Sequence, residues 1–146
     1  MATSLKHKLI NMFRELILYH NDSLAFRAKL LTLLVVGNGD TINECEEEKL
    51  QEIANKIYPD DHDRAQVLIE AVHEFYSKIT DLNNLVYDSL IKSITEDIKM
   101  QPRFAQKIDP ELFSIFKTCI DDEDERIFHD RIITFLSNLK EEYGEL

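Results

Sequence analysis

Apolar residues recur along most of this chain at intervals of three and four, the period of a helix with one buried face. Leu5, Leu9, Met12, Phe13, Leu16 and Ile17 mark a first helix from about Ser4 to Tyr19, with Lys6, Lys8, Arg14 and Glu15 on its other side. Asn21, Asp22 and Ser23 interrupt that pattern, and one of them caps the next helix. From Leu24 to Val36 the pattern changes, because between Leu30 and Val36 only Thr32 is polar. An element apolar nearly all round belongs at the centre of a fold. LLTLLVV alone also suits a buried strand, but the preceding FRAKLL extends the element past ordinary strand length, so helix is the preferred reading.

Gly37 then stands as a C-terminal cap, and Gly39 lets the chain turn. Asn43 opens the following helix, with Glu46 three residues on in the spacing of a capping box. Leu50, Ile53, Ala54 and Ile57 form its apolar face, and Glu44, Glu46, Glu47 and Glu48 crowd its first turn, where the helix dipole favours negative charge. Tyr58-Pro59-Asp60 ends it. Asp60 or Asp61 caps a helix to about Ile79 with Leu68, Ala71, Val72, Phe75 and Ile79 inside. Asp81 caps another, to about Lys99, that buries Leu82, Leu85, Val86, Leu90, Ile91, Ile94 and Ile98.

Gln101-Pro102 breaks the chain, and Phe104 tucks a short turn onto the core. Asp109-Pro110 joins a capping acid to a proline at the first helical position. That helix runs to about Cys119 over Leu112, Phe113, Ile115 and Phe116. An acidic turn, Asp121 to Glu125, leads to a last helix burying Ile127, Phe128, Ile132, Phe135, Leu136 and Leu139, after which EEYGEL frays. The expected fold is all-α, a single-domain bundle of about seven helices over residues 1–146. It carries a weak internal duplication: Leu30–Ile53 and Leu112–Leu136 each read as apolar helix, acidic turn and amphipathic helix, with Ile42 and Ile120 as plugs among the turn acids.

Charge narrows the partners. The 28 acidic residues outnumber the 17 basic ones, for a net charge of −11. Such a surface repels phosphate, which argues against nucleic acid and anionic lipid and suits solubility, cations or a basic protein. No run approaches the roughly 18 apolar residues of a membrane span, and the amphipathic N-terminus does not read as a secretory signal. Cys45 and Cys119 belong to no C-x-x-C pair and, with no secretory signal in view, are read as free intracellular thiols of a chain expected in the cytoplasm.

Candidate chemistry gathers at the turn after Val36. Hard cations need several converging oxygen ligands. Asp40, Glu44, Glu47 and Glu48 supply carboxylates, with Asn38, Asn43 or backbone carbonyls assisting, so these four acids are the candidate metal ligands for a divalent cation such as calcium or magnesium. The spacing departs from an EF-hand, since Gly39 comes too early. The bland reading gives these acids capping and solubility alone. Asp121, Asp122, Glu123, Asp124 and Glu125 form a second acidic run, of the kind that starts a helix and stays solvated. Glu70 and His73 have the E-x-x-H spacing of di-iron bundles, but they fall opposite Leu68, Val72 and Phe75 and face water. A zinc site from Cys45, Cys119 and a histidine would depend entirely on folding. The sequence has no nucleophile elbow, phosphate-binding glycine loop or H-E-x-x-H, so no catalytic residue is assigned.

Gly37, Asn38 and Gly39, followed by Ile42 and Glu46, stand where A-D-G, an aliphatic residue and a glutamate recur in a known family. On these residues the chain resembles the tellurite-resistance TerB-like family and the related N-terminal region of membrane-anchored J-domain co-chaperones. The likeness covers about Phe26 to Ile79 best. Asn38 replaces the motif aspartate, and Asp40-Thr41 adds a residue before Ile42. The resemblance implies an all-helical fold with an internal duplication, a non-enzymatic role in stress response and acidic residues that bind metal cations. Read this way, the chain is a cytoplasmic helical module that binds a cation, or alternatively a protein-interaction domain with no metal site.

Overall fold

A computed structural model describes residues 22–35, 42–82 and 84–144. The expected helix from Ser4 to Tyr19, and the turn residues Gly37, Asn38, Gly39, Asp40 and Thr41, lie outside the described residues, as do the side chains of 78–87. The α-helices are α1 (Asp22–Val35), α2 (Glu44–Ile57), α3 (His62–Leu82), α4 (Asn84–Met100), α5 (Pro110–Phe113) and α6 (Glu123–Tyr143). Two 3-10 segments, Pro102–Lys107 and Ser114–Cys119, flank α5. No strand occurs among the described residues, so LLTLLV is helix and the fold is all-α.

The bundle is wound around α1. Leu30, Leu31, Thr32, Leu33, Leu34 and Val35 are all buried in succession, as are Leu24, Ala25, Phe26 and Ala28. Such a helix has no face to spare for water, and α3, α4, α6 and the first 3-10 segment all pack on it. Three of its polar side chains find partners. Thr32 Oγ1 donates back to the Ala28 carbonyl at 2.7 Å. Lys29 extends its Nζ to Ser93 Oγ at 2.8 Å and Asp97 Oδ2 at 2.7 Å, which pins α1 to α4 with its stem buried. Arg27 donates to Tyr58 Oη at 3.2 Å and lies over that ring.

Around this axis the amphipathic helices present the expected faces. Leu50, Ile53 and Ala54 of α2, Leu68, Ala71 and Val72 of α3, and Leu90, Ile94 and Ile98 of α4 are buried in one continuous core, with Ile57, Phe75 and Ile91 packed at its margin. Phe104 closes one end, its ring 4.9 Å from that of Phe26. The capping box at α2 is complete: Asn43 Oδ1 accepts from the Glu46 backbone N–H at 2.8 Å, and Glu46 Oε1 accepts from the Asn43 N–H at 3.0 Å.

Four expectations need correction. Asp81 does not cap a new helix but lies inside α3, which continues to Leu82; no glycine or proline between Ile79 and Asn84 stops it. The segment Pro110–Cys119 is one turn of α-helix followed by 3-10 helix, not a single α-helix. Ser114 Oγ and Thr118 Oγ1 there donate to the carbonyls of Pro110 and Ile115, competing for the carbonyls of the helical ladder. The second half of the proposed duplication therefore differs in form from the first. Ile127 is 46% exposed, because the inward face of α6 carries His129, Ile132, Leu136 and Leu139, and Ile127 stands about 200° away from His129. Finally, the tail does not fray through Gly144. Tyr143 packs against the core, and the Gly144 carbonyl accepts from Gln106 Nε2 at 3.1 Å.

This hierarchy sets the expected costs of substitution. Leu33→Ala, at the axis, should lower unfolding free energy by about 3–5 kcal/mol. Asn43→Ala, which removes a cap, should lower it by about 1–2 kcal/mol. Urea melts of the two variants beside the parent chain would check the order and the gap.

Candidate functional site

The candidate metal ligands fall at the start of α2, and the structure separates their roles. Glu44 and Glu48 are exposed and stand one turn apart on α2. Glu47 is half-buried, and its Oε1 pairs with His73 Nε2 on α3. Asp40 lies outside the described residues. Among the described residues no group of three or more histidine, cysteine or acidic side chains converges as a cation would need. His73 and Glu70 are exposed on the outer face of α3, in accord with the pattern that sets them opposite its core positions.

What the sequence did not reveal is how close the two acidic segments come. Cys45, in the first turn of α2, and Cys119, at the end of the second 3-10 segment, form a disulfide with their Cα atoms 5.6 Å apart. The expectation of two free thiols is corrected, and with it the zinc reading, since both sulfurs are bonded to each other. The chain separation of 74 residues hid the pair. Pairing needs side chains that face each other across helices whose packing no local pattern states.

The bond sets the second acidic run beside the first. Asp121 is two residues from Cys119, so its Cα lies within about 8 Å of it. Ile120 is buried and plugs this turn onto the fold, while Asp121, Asp122, Glu123 and Asp124 are exposed. Part of this acidity is structural. Asp122 Oδ2 accepts from the Glu125 backbone N–H at 3.1 Å and caps α6. Arg126 Nε folds back to the Ile120 carbonyl at 3.0 Å, and Lys117 Nζ pairs with Asp130 Oδ1 at 2.7 Å. The Lys117 hydrogen bond holds the Asp130 carboxyl below the usual carboxylate range. Glu44, Glu48, Asp121, Glu123 and Asp124 remain as exposed carboxylates of this end.

His129 is the second group that the pattern did not single out. It is 1% exposed, and neither ring nitrogen has a hydrogen-bond partner. Burial, and then the nearby Lys117 ammonium, lower its pKa below the ordinary imidazole value, against a smaller pull upward from Asp130. The imidazole is thus kept neutral in the fold. Its place on the apolar face, three residues before Ile132, was the available signal.

Protein-family models, curated proteins and solved structures were all compared with this chain, and none matches it.

Two measurements test this end of the molecule. The disulfide closes a loop of 74 residues, so a Cys45→Ser, Cys119→Ser chain should lose about 4 kcal/mol in chain-entropy terms. Urea melts with and without reductant check it, because the parent should fall to the variant's midpoint only when reduced. For His129, the unfolded chain takes up a proton as pH falls through about 6.5, whereas the folded imidazole resists it. Its contribution to stability is therefore present above that pH and lost below it, at no more than about 1.4 kcal/mol per pH unit. His129→Leu should gain stability relative to the parent at pH 5.5 and show a smaller difference at pH 7.5, read from paired thermal melts.

Proposed function

We propose that this chain is a non-enzymatic helical module that binds a basic segment of a partner protein at the acidic end where Cys45 meets Cys119. The observation that carries the reading is the disulfide, which ties the acidic start of α2 to the residue two before the acidic run 121–125 in a chain of net charge −11. A stress-response role, as the TerB-like resemblance implies, accords with a module of this kind.

The shape of the acidic surface favours a multivalent cationic partner over one tightly held ion. Glu46 and Asp122 are committed to capping and Glu47 faces His73, which leaves spread rather than converging carboxylates. An apolar docking groove has little to support it, since the large exposed apolar side chains among the described residues are Met100 and Ile127.

A divalent cation is the second reading. Glu44 and Glu48 favour it, both exposed and spaced to share one ligand on α2. Asp40 would have to join them.

The same bond bears on location. No described helix is long and apolar enough to cross a membrane. The cytoplasmic expectation rested on the lack of a recognisable secretory signal, whereas the bonded pair suits an oxidising compartment; a cytoplasmic chain would carry the pair reduced.

Titration calorimetry with a lysine-rich peptide separates the readings. Affinity should fall steeply with salt. It should weaken several-fold in Glu44→Gln, Asp121→Asn, Glu123→Gln and hold in the equally neutralised Glu96→Gln, Glu141→Gln, Glu142→Gln. Equal loss in both triple variants would reduce the effect to net charge and sink the partner reading. A saturable rise in melting temperature with calcium, magnesium, manganese or zinc, diminished in Asp40→Asn, Glu44→Gln, would favour the cation instead.

A further inference from the structure

On the side of the fold formed by α1, the end of α2 and α5, an acidic protein turns basic. A cleft of about 200 Å³ opens there between Arg27 of α1, Lys56 of α2 and Lys107 of the first 3-10 segment. None of these three cations pairs with a carboxylate among the described residues. Among the described residues of the wall the acid is Asp109, whose Oδ1 accepts from the Leu112 backbone N–H at 3.1 Å as the cap of α5.

Arg27 and Lys107 lie against aromatic rings rather than against carboxylates. Arg27 is fixed by Tyr58 Oη and lies 5.4 Å from the centre of that ring. Lys107 Nζ lies 5.6 Å from the centre of Phe104, with Arg103 over the same ring at 5.7 Å. Burial, then the charges of Arg27 and Arg103, lower the Lys107 pKa. Beneath the cations the wall is apolar, from Leu31, Ile57 and Phe113.

We propose that this cleft binds a small organic anion, its carboxylate or phosphate on Arg27 and Lys107 and a short apolar body against Leu31, Ile57 and Phe113. An anion there supplies the counter-charge the fold withholds, in charge-assisted hydrogen bonds to a half-buried guanidinium and ammonium. The volume admits a body of a few carbons. This site is separate from the acidic end and stands whether or not that end binds a partner.

Two-dimensional amide NMR of the full chain tests it, with hexanoate and butyl phosphate as probes and sodium chloride at matched ionic strength as control. The expected result is saturable shifts at Leu31, Ile57, Lys107 and Phe113 with at least one probe. Arg27→Gln and Lys107→Gln, each confirmed as folded by its own spectrum, should each weaken that binding about tenfold or more. Lys92→Gln, an exposed change on α4, should leave it unchanged. The proposal is overturned if neither probe gives shifts beyond those of chloride. It is equally overturned if folded Lys107→Gln binds as tightly as the parent.

Discussion

The packing of α1 is the constraint on which the rest depends. A helix buried on all sides must be enclosed, and each surrounding helix supplies one apolar stripe to do so. Enclosure also decides where the polar residues of α1 can reach. Lys29 meets its counter-charge by running out between helices to Asp97, and Arg27 reaches the Tyr58 hydroxyl at the end of α2. Arg27 therefore both ties α1 to the end of α2 and lines the cationic cleft at the bundle's edge. Core and surface chemistry are set by one helix.

Much of this was legible because it is local. Helical period placed Leu50, Ile53, Leu68, Val72, Ile94, Leu136 and Leu139 in the core, and Asn43 with Glu46 announced a cap that forms as written. Asp109-Pro110 did the same for α5. The misses came where two equally local choices compete. Ile127 and His129 are two residues apart and cannot both face inward; hydrophobicity favoured the isoleucine, while the register set by Ile132, Leu136 and Leu139 favoured the histidine. The 3-10 form of Ser114–Cys119 was likewise missed; Ser114 and Thr118 donate their hydroxyls there to the carbonyls of Pro110 and Ile115.

Long-range geometry was not legible at all. Nothing near Cys45 names Cys119, and nothing near Arg27 names Lys107. Both pairings arise from the order in which helices stack around α1. For the candidate ligands, the spacing of Glu44 and Glu48 was readable. The commitment of Glu47 to His73 was not, because His73 belongs to another helix. A run of acids in a sequence therefore overstates the number of carboxylates free to bind.

Satisfaction, more than abundance, separates the two surfaces. The acidic end holds many carboxylates, yet its structural members already accept backbone N–H groups, and water serves the exposed ones well. An exposed carboxylate in water has little to gain from any one partner. The cations of the cleft are fewer, but Arg27 and Lys107 are half-buried, crowd each other and meet aromatic faces in place of acids. Partial burial raises the value of a counter-charge, because the medium screens it less. By that reasoning an excess of negative charge favours loose, salt-sensitive encounters at one end. The smaller positive site has the stronger physical demand for a particular ligand.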